Sequence, residues 1–462
     1  MTTAIKKRKF LEPNLLDGPI LKNIILYTIP VVLTGFLHSM FNAADLAVLN
    51  WRYGAAGELM VGAVGNASTV AWLIIYMFMG FSVGTSVSVA HAIGAKKEEE
   101  VSRTVHTAIP TAFLIGLLIA VAGIILTEPL LRMINTPADV LGYSATYMRI
   151  YFVGTIFMMV YNVCSAVLRA VGDTKTPLMF LMMSGVLNVV LNLIFVTVFG
   201  MNIDGVALAT AISQGVSAIL VLVVLSRRTD SCKLRFRKLR IHRKPLGKIL
   251  YIGIPSGLQN SLFSISSVVI QSAINPFGSV LMSGNAAAGN IEGFMHVILN
   301  SFMQAAVTFV GQNTGAKNYK RVKKIFWICM GCVVVVGIVI CVAVYLSGPV
   351  LLSIYADTEE AIGWGMVRLA YICSTYILCG MMDVTTGALR GIGAAIIPMF
   401  TSVLGVCGIR VAWIYTVFQI PQFHTPQCLY VSFPISWGVT FLVQGIAFYM
   451  VYKKKIKQEK AV

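Results

Sequence analysis

Residues 168–177 read Leu-Arg-Ala-Val-Gly-Asp-Thr-Lys-Thr-Pro, and 221 residues later Leu389, Arg390, Gly393 and Pro398 repeat the leucine, arginine, glycine and proline at the same spacing. The echo is not isolated. Gly94-Ala95-Lys96 returns at the same offset as Gly315-Ala316-Lys317, and Ile29-Pro30 returns at offset 225 as Ile254-Pro255. An ordered series of matches along 462 residues predicts a chain built from two equivalent halves.

Composition says what each half is made of. The chain is 57% hydrophobic and only 12% charged, where soluble domains carry about a quarter charged residues, and its mean hydropathy is +0.81. Soluble enzymes, disordered scaffolds and fibres are excluded, which leaves a protein of many membrane spans. Apolar runs fall at about 22–49, 59–92, 103–127, 141–170, 176–199, 205–226, 246–275, 282–314, 322–347, 361–388, 396–418 and 429–452. These are long and unbroken, so they predict helices rather than barrel strands, because hydrocarbon forces each backbone amide to pair within its own segment. The first run is too long for a signal-peptide core and lacks a small-residue cleavage site, so it is expected to stay as the first helix.

The net charge of +18 would suit nucleic acid, but the position of the cations argues otherwise. With the N-terminus in the cytoplasm, 31 of the 36 Lys and Arg fall on the cytoplasmic side, including Lys6 to Lys9, ten from Arg227 to Lys248, five from Lys317 to Lys324 and five after Tyr452. That is the positive-inside pattern, and it predicts both termini in the cytoplasm of a multi-pass protein of the inner or plasma membrane, with the lipid bilayer and not nucleic acid as its surroundings. Six spans per half is an even number, so both halves enter from the same side, related by an axis along the membrane normal, with a solute path between them. The expected organisation is an all-α membrane protein of 12 transmembrane helices in two pseudo-symmetric six-helix lobes, 1–226 and 246–462, joined by a basic cytoplasmic linker, 227–245. Nine cysteines, including the Cys329 to Cys332 pair in a valine-rich run, read as membrane packing rather than as a zinc or redox motif.

Residues 168–177, the Gly-Ala-Lys ending of the second and eighth spans and the twelve-span length resemble the multidrug and toxic compound extrusion (MATE) family over essentially the whole chain, nearer to its DinF-like branch. NorM-like and eukaryotic members carry a glutamate about two turns after the proline of the seventh helix, where this chain has Phe263 and Ser264. The resemblance implies a sodium- or proton-driven exporter whose lobes open alternately to either side. It implies no cofactor beyond the coupling ion.

Of 18 carboxylates, Asp45, Glu292 and Asp383 fall well inside predicted spans. An acid at a helix centre costs about 2.5–3.5 kcal/mol on insertion scales, so each is expected to face protein or water. His38, Asn42 and Asp45 follow i, i+4, i+7 and form one stripe. Ser184, Asn188 and Asn192 stand at four-residue spacing on the fifth span, and Thr210 lies on the sixth. Oxygen donors of these kinds suit a hard cation such as Na+, and the carboxylate could instead take a proton. The resemblance points to the same set, Asp45, Asn188, Asn192 and Thr210, except that DinF-like archaeal members have an aspartate where this chain has Asn192. Structural capping by Asp45, and interhelical hydrogen bonding by the asparagines, are the bland alternatives.

In the second half, Glu292, His296, Asn300 and Gln304 line one helix face, either as a cavity wall favouring cationic solutes or with Glu292 and His296 as a structural pair. Asp383 is equivalent to Asn162 at offset 221, and functional and structural readings both stand. Tyr147 and Tyr151 share a face and could stack on flat cations or simply pack. Pro30 and Pro255 open the first and seventh spans, where they could bend the helix or serve as N-terminal prolines.

The favoured function is a cation-coupled antiporter that exports small organic, preferentially cationic, drugs or metabolites by alternating access, working as a monomer. A flippase of lipid-linked saccharides is the rival, but it would need a cationic cavity, and only Arg149, Arg368 and Arg410 fall inside spans. An enzyme is not expected: no HExxH, P-loop or nucleophile elbow occurs.

Overall fold

The computed structural model describes residues 14–134, 136–356 and 358–460; the basic segment Met1–Lys9, expected in the cytoplasm, lies outside them. Among the described residues there is no strand. Twelve long helices follow one another: α1 (Ile20–Tyr53), α2 (Ala55–Gly94), α3 (Glu98–Met133), α4 (Ala138–Val171), α5 (Lys175–Val198), α6 (Ile203–Arg227), α7 (Arg243–Ile274), α8 (Ser279–Gly315), α9 (Tyr319–Leu346), α10 (Glu359–Ile392), α11 (Ile396–Gln419) and α12 (Pro426–Lys460). Among the described residues, eleven contain a stretch long and apolar enough to cross a bilayer. The twelfth, α7, has its apolar run diluted by Ser256 and Gln259, both buried and hydrogen-bonded within the protein. Large apolar side chains stand exposed on the outer faces, such as Leu118 and Ile125 on α3, Val339 on α9 and Ile446 on α12. In water this surface would aggregate; against lipid tails it is the expected boundary.

Several helices outrun their apolar stretches because polar residues continue them. Glu98, Glu99 and Glu100 occupy the first turn of α3, where carboxylates oppose the positive end of the helix dipole. Asn318 and Thr358 cap α9 and α10 by accepting from the backbone N–H of Arg321 and Ala361. The prolines are a correction. Pro30 and Pro255 do not open α1 and α7 but sit inside them, because the chain is already helical from Ile20 and from Arg243.

The repeated motifs end helices in the same way in both halves. After Leu168-Arg169, Gly172 takes a left-handed φ of 103°, its N–H donating to the Arg169 carbonyl and that of Asp173 to the Leu168 carbonyl; after Leu389-Arg390, Gly393 does the same at 92°, with Ala394 donating to Leu389. This closing turn needs a positive φ that glycine adopts without strain. The Gly-Ala-Lys motifs use a lysine instead. Lys96 and Lys317 have φ of 55° and 56°, the described non-glycine residues with positive φ.

The described chain divides into two compact units, one comprising Ile29–Gly257 and the other residues 14–28 with the described residues from Leu258 onward. The division falls within α1 and α7, two residues before Pro30 and two after Pro255. In the first unit the basic segment after α6 is held to the protein: Cys232 and Leu234 are buried in a hydrophobic cluster, the Arg235 N–H donates to His106 Nε2 at 3.0 Å, and the His242 N–H donates to Thr107 Oγ1 at 3.1 Å. The first half of α7 lies against α2 through Gly80 and Gly84 on one side and Gly253 and Gly257 on the other, small residues at four-residue spacing that let two backbones touch. A Cβ on Gly257 would run into the Met77 carbonyl. Gly257→Val should therefore lower stability by about 1–3 kcal/mol, the usual cost of overpacking; thermal melting of the detergent-purified variant checks it, and an unchanged midpoint would mean the crossing is looser than this.

Candidate cation site

Two close helix crossings place the polar residues of the first unit. Gly185 on α5 faces the ring of Phe41 on α1, and any Cβ there would overlap that ring. Phe41 is one turn from Asp45, and Gly185 is one and two turns from Asn188 and Asn192, so this contact sets the carboxylate beside both amides. On the other side Gly154 of α4 approaches Ala211 of α6, which brings the α4 tyrosines up to Thr210.

Asp45 is 7% exposed. Its Oδ1 accepts from Asn192 Nδ2 at 2.6 Å, and its Oδ2 lies 3.2 Å from the Thr210 hydroxyl. Behind it Asn188 Nδ2 donates to Thr210 Oγ1 at 3.1 Å, and Asn188 Oδ1 lies 3.4 Å from Asn192 Nδ2. The Thr210 hydroxyl has one proton and two acceptors in reach, Asp45 Oδ2 and the Val206 carbonyl at 3.0 Å. Asn192 Oδ1, fully buried, has no hydrogen-bond partner among the described residues. An orphaned oxygen beside a carboxylate is what a cation or an added proton would satisfy. The residues therefore fit a small monovalent ion.

Asp45 opens onto a small cavity lined also by His38, Asn42, Tyr147, Tyr151 and Thr210. Five of the residues expected to bind ion or solute thus share one space with Asp45, while Asn188 and Asn192 stand behind it. Tyr147 and Tyr151 are stacked, with ring centroids 5.7 Å apart, and the His38 ring meets Trp72 edge-on at 6.0 Å. Among the described residues no Lys or Arg lines the cavity. The cavity volume of about 30 Å³ holds an ion or a water, far below the roughly 300 Å³ at which pockets for organic ligands begin. Sequence reasoning missed Thr155, Met158 and Gln214 in the lining. Thr155 and Gln214 each lie four residues beyond a predicted member, and that spacing was the available signal.

In the second unit the Glu292 to His296 pair is not formed. Glu292 binds Arg368 on α10, with Nε to Oε1 at 2.6 Å and Nη2 to Oε2 at 2.8 Å. Arg368 Nη1 also donates to Asn285 Oδ1 at 2.6 Å, and Tyr430 donates to the same oxygen at 3.3 Å. A fork-shaped guanidinium matches a carboxylate in a way imidazole cannot, and Glu292 spends both oxygens on it. His296 instead lies beside Asp383, 3.9 Å away. Asn300 donates to Met303 Sδ at 3.8 Å, and Gln304 is half-buried further along α8.

The MatE family model matches this sequence twice, over residues 30–194 and 255–416. The chain belongs to the MatE family. Two consecutive matches to one model also agree with the internal repeat. The chain is 27% identical over 444 residues to the probable multidrug resistance protein YoeA of Bacillus subtilis, with 94% of each covered, and 21% identical over 371 residues to the multidrug export protein MepA of Staphylococcus saprophyticus, with 78% of this chain and 82% of MepA covered. In fold it is similar to a MOP superfamily transporter from Pyrococcus furiosus at a TM-score of 0.88 and 20% identity, covering 96% of this chain and 98% of that one. Its MatE relatives are transporters, not enzymes.

Arg368→Met should destabilise this MatE protein by roughly 3–5 kcal/mol, because it strands a buried carboxylate, and Glu292→Gln in the same chain should recover part of the loss. A double variant no more stable than the single one in thermal melting would show that the pair does not hold α8 to α10.

Proposed function

We propose that this protein is a secondary antiporter that exports small organic, preferentially cationic, solutes by alternating access, driven by a sodium ion or proton that occupies Asp45. The observation that carries this reading is a buried carboxylate, hydrogen-bonded only to neutral donors, at the wall of a cavity with two stacked tyrosines. A charge so placed is costly while it stays uncompensated, which makes it a receptor for one positive charge. Asn188, Asn192 and Thr210 would turn oxygens toward a sodium ion; a proton would need Asp45 alone. The tyrosine rings and the nearby acid would meet a flat cation in a state whose cavity exceeds the volume of about 30 Å³ seen here, and the names of YoeA and MepA support multidrug export. The protein would act as a monomer in the cell membrane with both termini in the cytoplasm.

Coupling requires that the ion prefer one state of the transporter over the other, since equal affinity would shift nothing. One charge moving down 100 mV is worth about 2.3 kcal/mol, enough for a solute gradient of roughly 50-fold. Against a flippase of lipid-linked saccharides, Arg149 pairs with Glu128 on an exposed face, Arg368 is spent on Glu292, and Arg410 is buried against Phe433. None of the three is left open to a pyrophosphate.

Asp45→Asn should abolish gradient-driven efflux from proteoliposomes while the protein elutes and melts like the parent. Running sodium and pH gradients separately identifies the ion. Export by the variant at the parent rate under both gradients would remove Asp45 from the mechanism and the reading with it.

A further inference from the structure

The second unit holds a cluster that ion-coupled export through Asp45 does not use. His296 on α8 and Cys379 and Asp383 on α10 place one nitrogen, one sulfur and one carboxylate oxygen within 4.8 Å of one another. Cys379 and Asp383 are four residues apart, so they share a face of α10, and each is only 7% exposed. The His296 side chain is 50% exposed, which leaves a way in. Asp383 Oδ2 is buried and accepts no hydrogen bond among the described residues, and its 3.9 Å from His296 Nδ1 is too long for one. Ligand atoms around a tetrahedral zinc are separated by roughly 3.3–3.8 Å, as bond lengths of about 2.0–2.3 Å require. His296 and Asp383 stand too far apart to bond each other, Asp383 Oδ2 has no hydrogen-bond donor among the described residues, and all three ligand atoms lie near enough for one ion to fall between them.

The internal repeat gives the location meaning. At offset 221 Cys379 is equivalent to Met158 and Asp383 to Asn162, and Met158 lines the Asp45 cavity of the first unit. The cluster thus occupies, in the second unit, the face of α10 that corresponds to a cavity-lining face of α4.

We propose that His296, Cys379 and Asp383 form a binding site for a divalent transition-metal ion of the zinc class, with the fourth coordination position open to water or to a coordinating solute. A thiolate and an imidazole select such ions over sodium, magnesium or calcium, which take oxygen. A thiolate and a carboxylate together neutralise a dication, so the site adds no net charge beside Arg390 and Arg410. Each guanidinium has one partner of its own: Arg390 Nη2 donates to Gln259 Oε1 at 2.8 Å, and Arg410 Nε donates to Ser436 at 3.0 Å while stacking on Phe433, whereas Arg390 Nε and Arg410 Nη2 are without a hydrogen bond among the described residues. Cys379 is then a ligand rather than a packing residue.

The test uses untagged, chelator-treated, full-length protein in detergent titrated with Co2+ alone. One equivalent should give a thiolate-to-cobalt charge-transfer band, which Zn2+ displaces. The band should be absent in Cys379→Ser, kept in Cys329→Ser, and should need at least about tenfold more Co2+ in His296→Ala and Asp383→Asn. His296 is half-exposed, so His296→Ala stays informative if a buried variant fails to fold, and Zn2+ should raise the melting temperature of the parent but not of His296→Ala. No band in the parent, a band that survives in Cys379→Ser, or Co2+ affinity unchanged in His296→Ala would overturn the proposal.

Discussion

A carboxylate among apolar helices has little water to fall back on, and in the first unit Asn188, Asn192 and Thr210 are arranged around that fact. Asp45 receives one amide at 2.6 Å and shares one hydroxyl at 3.2 Å, and among the described residues no Lys or Arg lines its cavity. Hydrogen bonds from neutral donors offset part of the desolvation of a charge but leave the charge itself unmatched. Glu292 shows the other solution. It has a bidentate arginine within the same unit, which neutralises it and ties α8 to α10. One buried acid is closed and the other stays open to a partner from solution, and that difference separates structure from a binding site more clearly than burial does.

Small residues and a change of helical pitch make the open arrangement possible. Gly185 lets Phe41 seat on α5, so α1 and α5 approach closely enough for Asp45 and Asn192 to bond across 147 residues of sequence. Directly after Asn192, α5 widens into a π-type turn from Ile194 to Val198, a feature that often accompanies functional positions because it re-aims side chains at a small backbone cost. A larger residue at 185 would separate the two helices and leave the carboxylate without its amide.

The fold was legible because lipid imposes a coarse rule. Long apolar runs, cations kept between them and an offset of 221 required no knowledge of tertiary contacts. The polar stripes were legible for the same local reason: His38, Asn42 and Asp45 share a face by helical geometry, and the cavity receives all three. What remained hidden depends on pairs far apart in sequence. Arg368 stood out as a cation within a span, but nothing local tied it to Glu292, 76 residues away, so the structural alternative for Glu292 paired it with the nearer His296. The prolines were misplaced because each was read as a helix start, although the apolar runs from about 22 and 246, and the helices from Ile20 and Arg243, already begin well before them.

The two halves keep their backbone and change their chemistry. Their helix-ending turns agree in φ to within about ten degrees at Gly172 and Gly393 and to one degree at Lys96 and Lys317. At the same offset Tyr147 corresponds to Arg368, Met158 to Cys379 and Asn162 to Asp383, while Asn188, Asn192 and Thr210 correspond to Ile409, Trp413 and Val431. The oxygen-rich cluster therefore has no counterpart in the second half, and the charged cluster has none in the first. Closing turns are fixed by backbone geometry, which tolerates few residues. The interior faces are fixed only by the requirement that buried polar groups be answered, and a duplicated scaffold can meet that requirement with different partners in each copy.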